Sequence, residues 1–496
     1  ENQQESQQGN QQEKQQEQPT EEETPSPMPL GTPAPAAEGT GSSTPHEHCV
    51  CGAKHKTSIG NHTEAELTTF TAWTNEEAAK QYPGKNKTAS NSLPKTGSYY
   101  LTGNVTLTAT WSPAGDTTLC LNGHSIKGGG YSGVILVDKD VNFTLCDCNG
   151  DRKTYRFSEE RNGPWKQDES GNHEVTGGIV TSNGLGGGVR VSGGTFNMYG
   201  GAIVGNSGDT YYHNRGGGVY MGSGAFNLYG GAIIGNSSSG ETADYGGGGV
   251  YVNGGTFTMY DGEISGNATT KSASGGGVNV NYGGTFNMTG GVIGGKGKGN
   301  TASFGGGGVY MSGGTFTMSG SARITDNKET GYGAGGGVEV NGGTFNMSGD
   351  AEIVNNQTTG TKGYYGGGGV YVSSGSTFTV SGKVRITGNT KDSKANNVYL
   401  PDNKTITIAQ GGLTEGAKIG VTPQNELAEG SPVTIAKGAT DYSVQDIDAK
   451  AFFADAGTDY KAQLSDDGVI QLAEGHADHP ICGATCTDGE KHSDVT

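Results

Sequence analysis

Two clusters of histidine and cysteine lie near the two ends of the chain, and their side chains are those of a metal site. The first cluster has the spacing His-x2-Cys-x3-His-x6-His and the second has His-x2-Cys-x3-Cys-x5-His. Four thiolate and imidazole ligands suit a tetrahedral zinc ion with no open position for chemistry. The predicted ligands are His48, Cys51, His55 and His62 in the first cluster, and His479, Cys482, Cys486 and His492 in the second.

Each cluster is too short to fold by itself, so the sequence predicts a structural zinc ion that holds the segment together. The alternative is an ordinary turn with exposed histidines, and the recurrence of the spacing favours the metal. His46 and Cys49 are spare or alternative ligands. The second copy is followed only by a few residues up to Thr496, whereas the first continues into a long repeat region. We therefore expect this chain to be one unit of a longer array.

Three further cysteines lie in the first half of the chain. Cys120 and Cys146 end matching Thr-Leu-Cys triplets one repeat apart, so we expect them to stack as buried thiols. A disulfide between them is the less favoured alternative, and Cys148 is expected to point outward. Seven cysteines do not form a closed disulfide framework.

The elements that position these residues come from seven internal repeats, such as GGGVRVSGGTFNMYGGAIVGN. Valine and phenylalanine anchors are seven or eight residues apart, as are phenylalanine and isoleucine, whereas 14 to 17 residues lead to the next valine. Three short strands, two tight turns and one variable loop per coil explain this spacing. The anchors are Val189, Val219, Val250, Val278, Val309, Val338 and Val370; Phe196, Phe226, Phe257, Phe286, Phe316, Phe345 and Phe378; and Ile203, Ile233, Ile264, Ile293, Ile324, Ile353 and Ile386.

The sequence therefore predicts an all-β, right-handed parallel β-helix with three-strand coils of about 30 residues. The phenylalanine row should form a buried aromatic stack. An asparagine ladder is expected at Asn206, Asn236, Asn267, Asn327, Asn356 and Asn389, broken by Lys296 in the fourth repeat. A short helix capped by Thr74 should cover the N-terminal end.

The expected organisation has five parts. Residues 1–45 form a disordered Gln/Pro/Glu-rich linker, and 46–96 form the zinc module and capping helix. Residues 97–400 form the β-helix, with regular repeats over 186–395. Terminal rungs and a β cap follow in 401–475, and a second Cys/His module begins in 476–496.

Composition excludes several classes of protein. With 93 glycines among 496 residues and 31% hydrophobic residues, the chain has too little apolar material for a conventional globular core. The net charge of −18 and the lack of a basic cluster argue against nucleic-acid binding. Since no apolar run is long enough for a membrane span, we expect no membrane insertion. A monomer is expected.

The repeats GGGVYV, TFTM and GGAIIGN resemble those of right-handed β-helix surface proteins, including the GGAI repeats of polymorphic outer-membrane proteins. The stretch NSLPKTGSYYLTGNVTLTATW resembles the opening of β-helix domains in secreted proteins of gut-type Firmicutes. The resemblance covers most of residues 46–475 and implies a pectin-lyase-like fold and an extracellular location at the cell surface. The same scaffold carries lyases, hydrolases and adhesins.

Two side-chain patterns bear on function. Tyrosines recur at the outward position of the first strand and in the variable loops, where exposed rings would bind sugars or proteins. The predicted ligand-binding residues are Tyr220, Tyr251, Tyr310, Tyr371, Tyr212, Tyr245, Tyr365 and Trp165. An enzyme acting on glycans needs paired carboxylates, and only Asp261 and Glu263 form such a pair, without complement in the next coil.

We therefore expect a binding protein rather than an enzyme: an adhesin-like module that presents a β-helix face and variable loops. Its partner would be a host or environmental glycan or glycoprotein, including mucin or immunoglobulin. The alternatives are a polysaccharide lyase or glycoside hydrolase, and a passive surface spacer.

Overall fold

The computed structural model describes residues 46–50, 67–148, 154–157, 173–182, 187–209, 216–244, 246–359, 366–425, 427–428, 430–457 and 459–474. In these residues the chain is a parallel β-solenoid of about 11 turns with two short helices. The predicted all-β, parallel, coiled architecture is confirmed.

The N-terminal turns are built from short strands and one helix, α1 (Asn75–Gln81). Their strands are His46–His48, Thr68–Trp73, Gly97–Leu101, Val105–Leu107, Thr117–Cys120, Ser125–Gly128, Ile135–Asp138 and Asn142–Cys146. A separate antiparallel hairpin, Thr154–Phe157 with His173–Thr176, lies within the charged insertion that precedes the regular repeats.

The repeat region stacks coil on coil in register. Its strands are Ile179–Ser182, Val189–Met198, Ala202–Val204, Ser207–Asp209, Val219–Leu228, Ala232–Ile234, Ser237–Gly240, Val250–Met259, Glu263–Ser265, Ala268–Lys271, Val278–Met288, Val292–Gly294, Thr301–Ala302, Val309–Met311, Thr315–Met318, Arg323–Thr325, Lys328–Glu329, Val338–Val340, Thr344–Met347, Glu352–Val354, Gln357–Thr358, Val370–Val372, Thr377–Gly382, Arg385–Thr387, Thr390–Lys391 and Lys394–Ala395.

The C-terminal end contains a second helix, α2 (Asp446–Lys450). Its strands are Val398–Leu400, Ile406–Leu413, Lys418–Pro423, Val433–Gly438, Phe452–Ala454, Tyr460–Leu464 and Val469–Glu474. The last strand pairs antiparallel with two others, so the parallel stacking ends in a small antiparallel sheet rather than an open parallel edge.

Three parallel faces surround the core, and we name them the Val, Phe and Ile sheets after their anchors. Every valine, phenylalanine and isoleucine anchor is buried, as the repeat spacing predicted. The phenylalanine rings stack from Phe143 to Phe378 with centroids 4.7–5.4 Å apart. Burying one such ring contributes about 1.5–3 kcal/mol.

Each regular coil also contains a fourth short strand, which the sequence did not predict. Seven of these strands follow the asparagine of each repeat, and with Lys394–Ala395, which pairs antiparallel with the last of them, they form a separate eight-stranded sheet between the Ile sheet and the variable loops. They are two to four residues long, too short to show an alternating pattern in the sequence.

The asparagine ladder runs through the turn before this sheet, and it is continuous. The predicted break at Lys296 is wrong, because Asn300 takes the position in the fourth repeat. The chain there makes a longer turn with Gly294 and Gly295 at positive φ, which sends Lys296 to the surface. Asn397 extends the ladder, and Asp455 accepts its last amide hydrogen bond.

Each ladder amide is fully used, and this makes the ladder costly to interrupt. Asn267 Nδ2 donates to Asn300 Oδ1 at 2.9 Å and to the Ile233 carbonyl at 2.9 Å. Its Oδ1 accepts from both the backbone and the side-chain nitrogen of Asn236.

Replacing Asn267 with alanine is expected to destabilise the solenoid, because the Asn236 backbone N–H loses its partner in a buried turn, and Asn236 Nδ2 and Asn300 Oδ1 each lose one of two partners. Each unsatisfied group costs about 1–3 kcal/mol. Urea unfolding followed by circular dichroism measures this. Asn287→Ala, at a half-buried outward position, is the matched control. Equal midpoints for the two variants would contradict the ladder's role.

Helix α1 lies beside the first turn, with Ala78 in the core. Thr74 Oγ1 caps it by accepting from the Glu77 backbone at 3.3 Å, and Lys80 pairs with Glu76 and Glu77. The predicted capping helix is confirmed. Within the described residues, neither helix is long and apolar enough to cross a membrane.

Candidate metal centre

A group of two histidines and two cysteines lies on the outside of the first turns. It comprises His46, His48, Cys120 and Cys148, and one donor atom from each lies within 4.8 Å of all the others. Cys120 Sγ is 2.9 Å from Cys148 Sγ, and His46 Nε2 is 3.2 Å from Cys148 Sγ. Two thiols and two imidazoles converging on one point are a tetrahedral donor set.

Aromatic stacking and strand pairing hold the two histidines in place. Their strand pairs antiparallel with Thr68–Trp73, the first strand of the solenoid. The His46 ring stacks on Tyr100 with centroids 4.1 Å apart, and the His48 ring stacks on Phe70 at 4.3 Å. Both imidazoles therefore have fixed planes before any ion binds.

The hydrogen bonding of His48 leaves one nitrogen available. Its Nδ1 donates to the Cys49 carbonyl at 2.8 Å. Its Nε2 is buried near Cys148 and has no hydrogen-bond partner of acceptable geometry. A histidine that donates one ring N–H to a backbone carbonyl and presents the other nitrogen bare has the arrangement of a metal ligand.

The cysteines come from two successive coils. Cys120 and Cys146 are buried and directly paired in register, which confirms their predicted stacking as thiols. Cys148, which was expected to point outward, is half-buried, and its Sγ lies against that of Cys120 on the outside of the first turns. The separation of these two sulfur atoms exceeds the disulfide bond length of about 2.05 Å.

The environment shifts the pKa values of this group. Burial raises the pKa of Cys120 and of Cys146. The hydrogen bond with Cys120, together with burial, raises the pKa of Cys148 to about 12. Burial opposes the charge of His48, but Cys148 and the Cys49 carbonyl outweigh it and raise its pKa. A bound divalent cation would displace the thiol protons.

Of the predicted ligands, the structure places His48 in this group and adds His46, the alternative ligand. Cys51, His55, His62, His479, Cys482, Cys486 and His492 lie outside the described residues. Sequence reasoning missed Cys120 and Cys148 as ligands. The available signal was the pair of Thr-Leu-Cys triplets, which places Cys120 one coil from Cys146 and close to Cys148.

The tyrosines of the Val sheet are not the exposed row that the sequence predicted. Tyr220, Tyr251 and Tyr310 are buried, and Tyr371 is half-buried. The physical reason is that the variable loops fold back over this face. Tyr212, Tyr245, Tyr365 and Trp165 lie outside the described residues.

Outward residues of the Val sheet fasten these loops to the solenoid. Tyr251 donates its hydroxyl hydrogen to the Asp244 carbonyl at 2.9 Å. Asn279 Nδ2 donates to the Ser274 carbonyl at 3.3 Å, and Glu339 accepts from the Ala334 backbone at 3.0 Å. The exposure on which ligand binding by Tyr220, Tyr251 and Tyr310 was predicted is absent, because all three rings are buried.

The Asp261 and Glu263 carboxylates each contact neighbouring groups. Glu263 Oε1 lies 3.2 Å from Lys298 Nζ and also accepts from the Ser265 hydroxyl. Asp261 is exposed and accepts from the Gly262 backbone. Both carboxylates thus have local partners.

Comparison with known proteins gives no relative: no family model, no curated protein and no solved structure matches the chain.

Proposed function

We propose that the His46, His48, Cys120 and Cys148 group holds a structural zinc ion. The donor set carries this proposal: two soft thiolates and two imidazoles are the ligands of closed, tetrahedral zinc sites. The ion fastens the strand His46–His48, which is only three residues long, to two coils of the solenoid.

Metal analysis of the full chain, prepared without a polyhistidine tag, tests this proposal. We expect at least one equivalent of tightly bound zinc, and after exchange for cobalt, the visible absorption of tetrahedral thiolate coordination. A protein with well under one equivalent, or one in which mass spectrometry finds a Cys120–Cys148 disulfide, contradicts it.

We propose further that the chain is an extracellular, adhesin-like binding protein, as its resemblance to β-helix surface proteins of gut-type Firmicutes implies. The loop-bearing edge of the solenoid supports this. Within the residues that the structure describes, the variable loops lead into Val-sheet strands, and so they line one side of successive coils. Loops fixed on a rigid scaffold are the usual place for recognition.

Two loop tyrosines place exposed aromatic rings on this edge, six coils apart. Tyr131 and Tyr332 are 57% and 58% exposed, and they precede the Val-sheet strands of their own coils. In the described part of the chain, the other exposed large apolar residues are Leu67 and Ile447. Tyrosine combines contact area with a polar tip, which suits sugars and glycoproteins alike.

An array of glycans, mucins and serum and secretory glycoproteins tests the binding function, with retention and cleavage both recorded. We expect retention of intact ligand, and at least a tenfold loss in Tyr131→Ser/Tyr332→Ser. Leu67→Ser/Ile447→Ser removes two other exposed apolar side chains, 56% and 44% exposed, and should bind as the unaltered chain does. Cleavage of a polysaccharide would favour the lyase or hydrolase alternative. Neither retention nor cleavage of any ligand on the array would favour the passive surface spacer.

A further inference from the structure

The outer surface of the Phe sheet is a regular, uncharged array of threonine and asparagine, which we call the Thr/Asn face. Two outward positions of each strand contribute one residue each, through eight coils paired in register. The first column is Asn142, Thr195, Ala225, Thr256, Thr285, Thr315, Thr344 and Thr377. The second column is Thr144, Asn197, Asn227, Thr258, Asn287, Thr317, Asn346 and Thr379.

The solenoid itself does not require this lack of charge. Over the same eight coils, the outward column of the Ile sheet is Ile179, Ala202, Ala232, Glu263, Val292, Arg323, Glu352 and Arg385, and four of these eight residues are charged. There the charges pair across coils, as Arg323 does with Glu352 at 3.0 Å. Charge on an exposed sheet face keeps a solenoid soluble. The lack of charged residues over eight coils of the Thr/Asn face therefore indicates a role other than solubility.

The Thr/Asn face is also rigid before a ligand arrives. Asn197 Nδ2 donates to Asn142 Oδ1, and Asn227 Nδ2 donates to Asn197 Oδ1, each at 2.9 Å. Threonine is β-branched, so its side chain is restricted to few rotamers. A preorganised surface loses little conformational entropy when it binds.

A tyrosine stack borders the face on one side. Tyr199, Tyr229 and Tyr260 lie two residues past the second column, with ring centroids 4.4 and 4.7 Å apart. All three are half-buried. They place aromatic edges and a line of hydroxyl groups along one border of the first three regular coils.

We infer that the Thr/Asn face binds a neutral, extended polysaccharide lying along the solenoid axis. Hydroxyl and amide groups match the donors and acceptors of sugar hydroxyls, and the threonine methyls match the C–H surface of sugar rings. The face offers a cationic side chain at none of its 16 positions and the chain carries a net charge of −18, which disfavours an acidic polysaccharide.

The repeat of the face fits a repeating ligand. Its strands are about 4.8 Å apart, so eight coils span roughly 34 Å, and several sugar units contact equivalent side chains together. Weak contacts made simultaneously along one chain add to a useful affinity. The backbone of this sheet is already paired on both sides through most of its length, so the side chains carry recognition. This inference rests on the proposed binding function and names its ligand class.

Co-sedimentation of the full chain with microcrystalline cellulose and insoluble xylan tests the inference, with calcium polygalacturonate as the acidic comparison. We expect binding to at least one neutral polysaccharide and none to polygalacturonate. Thr256→Glu/Thr315→Glu places two charges on the face, two coils apart, and should weaken the binding at least tenfold. Ala268→Glu/Gln357→Glu adds the same charges on the eight-stranded sheet and should leave it unchanged.

A lysine version separates loss of binding from loss of fold. Thr256→Lys/Thr315→Lys should lose the neutral ligand and gain polygalacturonate, which an unfolded variant would not do selectively. No sedimentation of the unaltered chain with either neutral polysaccharide, or undiminished binding by the glutamate variant, overturns the inference. Retention on the glycoprotein array that depends on Tyr131 and Tyr332 would then leave the proposed function standing.

Discussion

Replacing Cys120 with serine is expected to remove one equivalent of zinc from the full chain. Its Sγ is one of the four donor atoms, and it lies 2.9 Å from the Sγ of Cys148, a second donor. Because a serine hydroxyl stays protonated and binds zinc weakly, three ligands remain and the ion is lost to a competing chelator.

Cys146→Ser is the matched control, since this thiol is buried beside Cys120 but is not one of the four donors. Cys51→Ser tests the ligand set that local spacing predicted. If the ligands are those of the structure, C120S should lose one equivalent of zinc and C146S should lose none. Loss of metal in C51S, with full retention in C120S, would instead establish the sequence-based set. Cys482→Ser reports separately on the second cluster.

Loss of the ion should also release the strand that carries the histidines. Three backbone register pairs and the stacking of both histidine rings join His46–His48 to the solenoid, and the metal ligands would add a further attachment. Chelator treatment is therefore expected to speed amide exchange in 46–50 while exchange in the repeat core stays slow. Uniform exchange rates with and without chelator would show that the ion does not hold this segment.

The fold followed from the sequence because one physical rule repeats in every coil. Inward side chains recur at fixed spacing, so Val278, Phe286 and Ile293 identify three strands even where one bulge residue is added. Because the same spacing recurs in seven repeats, an irregularity in one repeat does not obscure the pattern. Asn300 escaped prediction for the same reason, since a longer turn moved it out of the spacing that the other repeats share.

The metal group was only half predictable. Local spacing can relate ligands within one segment, as in His48 and Cys51, but His46 and Cys148 are 102 residues apart. The distance between them in the fold depends on which coils the N-terminal strand packs against, and this strand is not part of the repeat pattern. The burial of Tyr251 escaped for a related reason: period-two alternation says that a side chain points outward, but not that a loop covers it.

Glu339 is expected to make the stability of the solenoid fall as the pH rises. It stands in the outward column of the Val sheet, between Tyr310 and Tyr371, and it accepts a hydrogen bond from the loop backbone at Ala334. A second buried carboxylate, Glu329, lies nearby and accepts from the Gly331 and Gly333 backbone at 2.7 and 3.1 Å. Burial, with Glu329 adding to it, raises the pKa of Glu339 from 4.5 to about 8.

The sign follows from which state holds the proton. Between pH 4.5 and about 8 the folded chain keeps Glu339 protonated, whereas the unfolded chain has released that proton. Folding is therefore most favoured below this window and loses about 1.4 kcal/mol per pH unit across it. Above a pH of about 8, Glu339 is ionised in both the folded and the unfolded chain, and its contribution to the free energy of unfolding stays constant.

Glu339→Gln isolates the contribution of this carboxyl group to the pH dependence of stability. The amide has the same shape and can still accept from the Ala334 backbone, but it cannot ionise. We expect urea unfolding of the variant to show a much shallower pH slope, and the loop amides of Gly331, Gly333 and Ala334 to stay protected at alkaline pH. Glu415→Gln, at an exposed position, should keep the original slope. If E339Q retained that slope as well, the pH dependence would originate elsewhere, and the loop carrying Tyr332 would be fastened independently of pH.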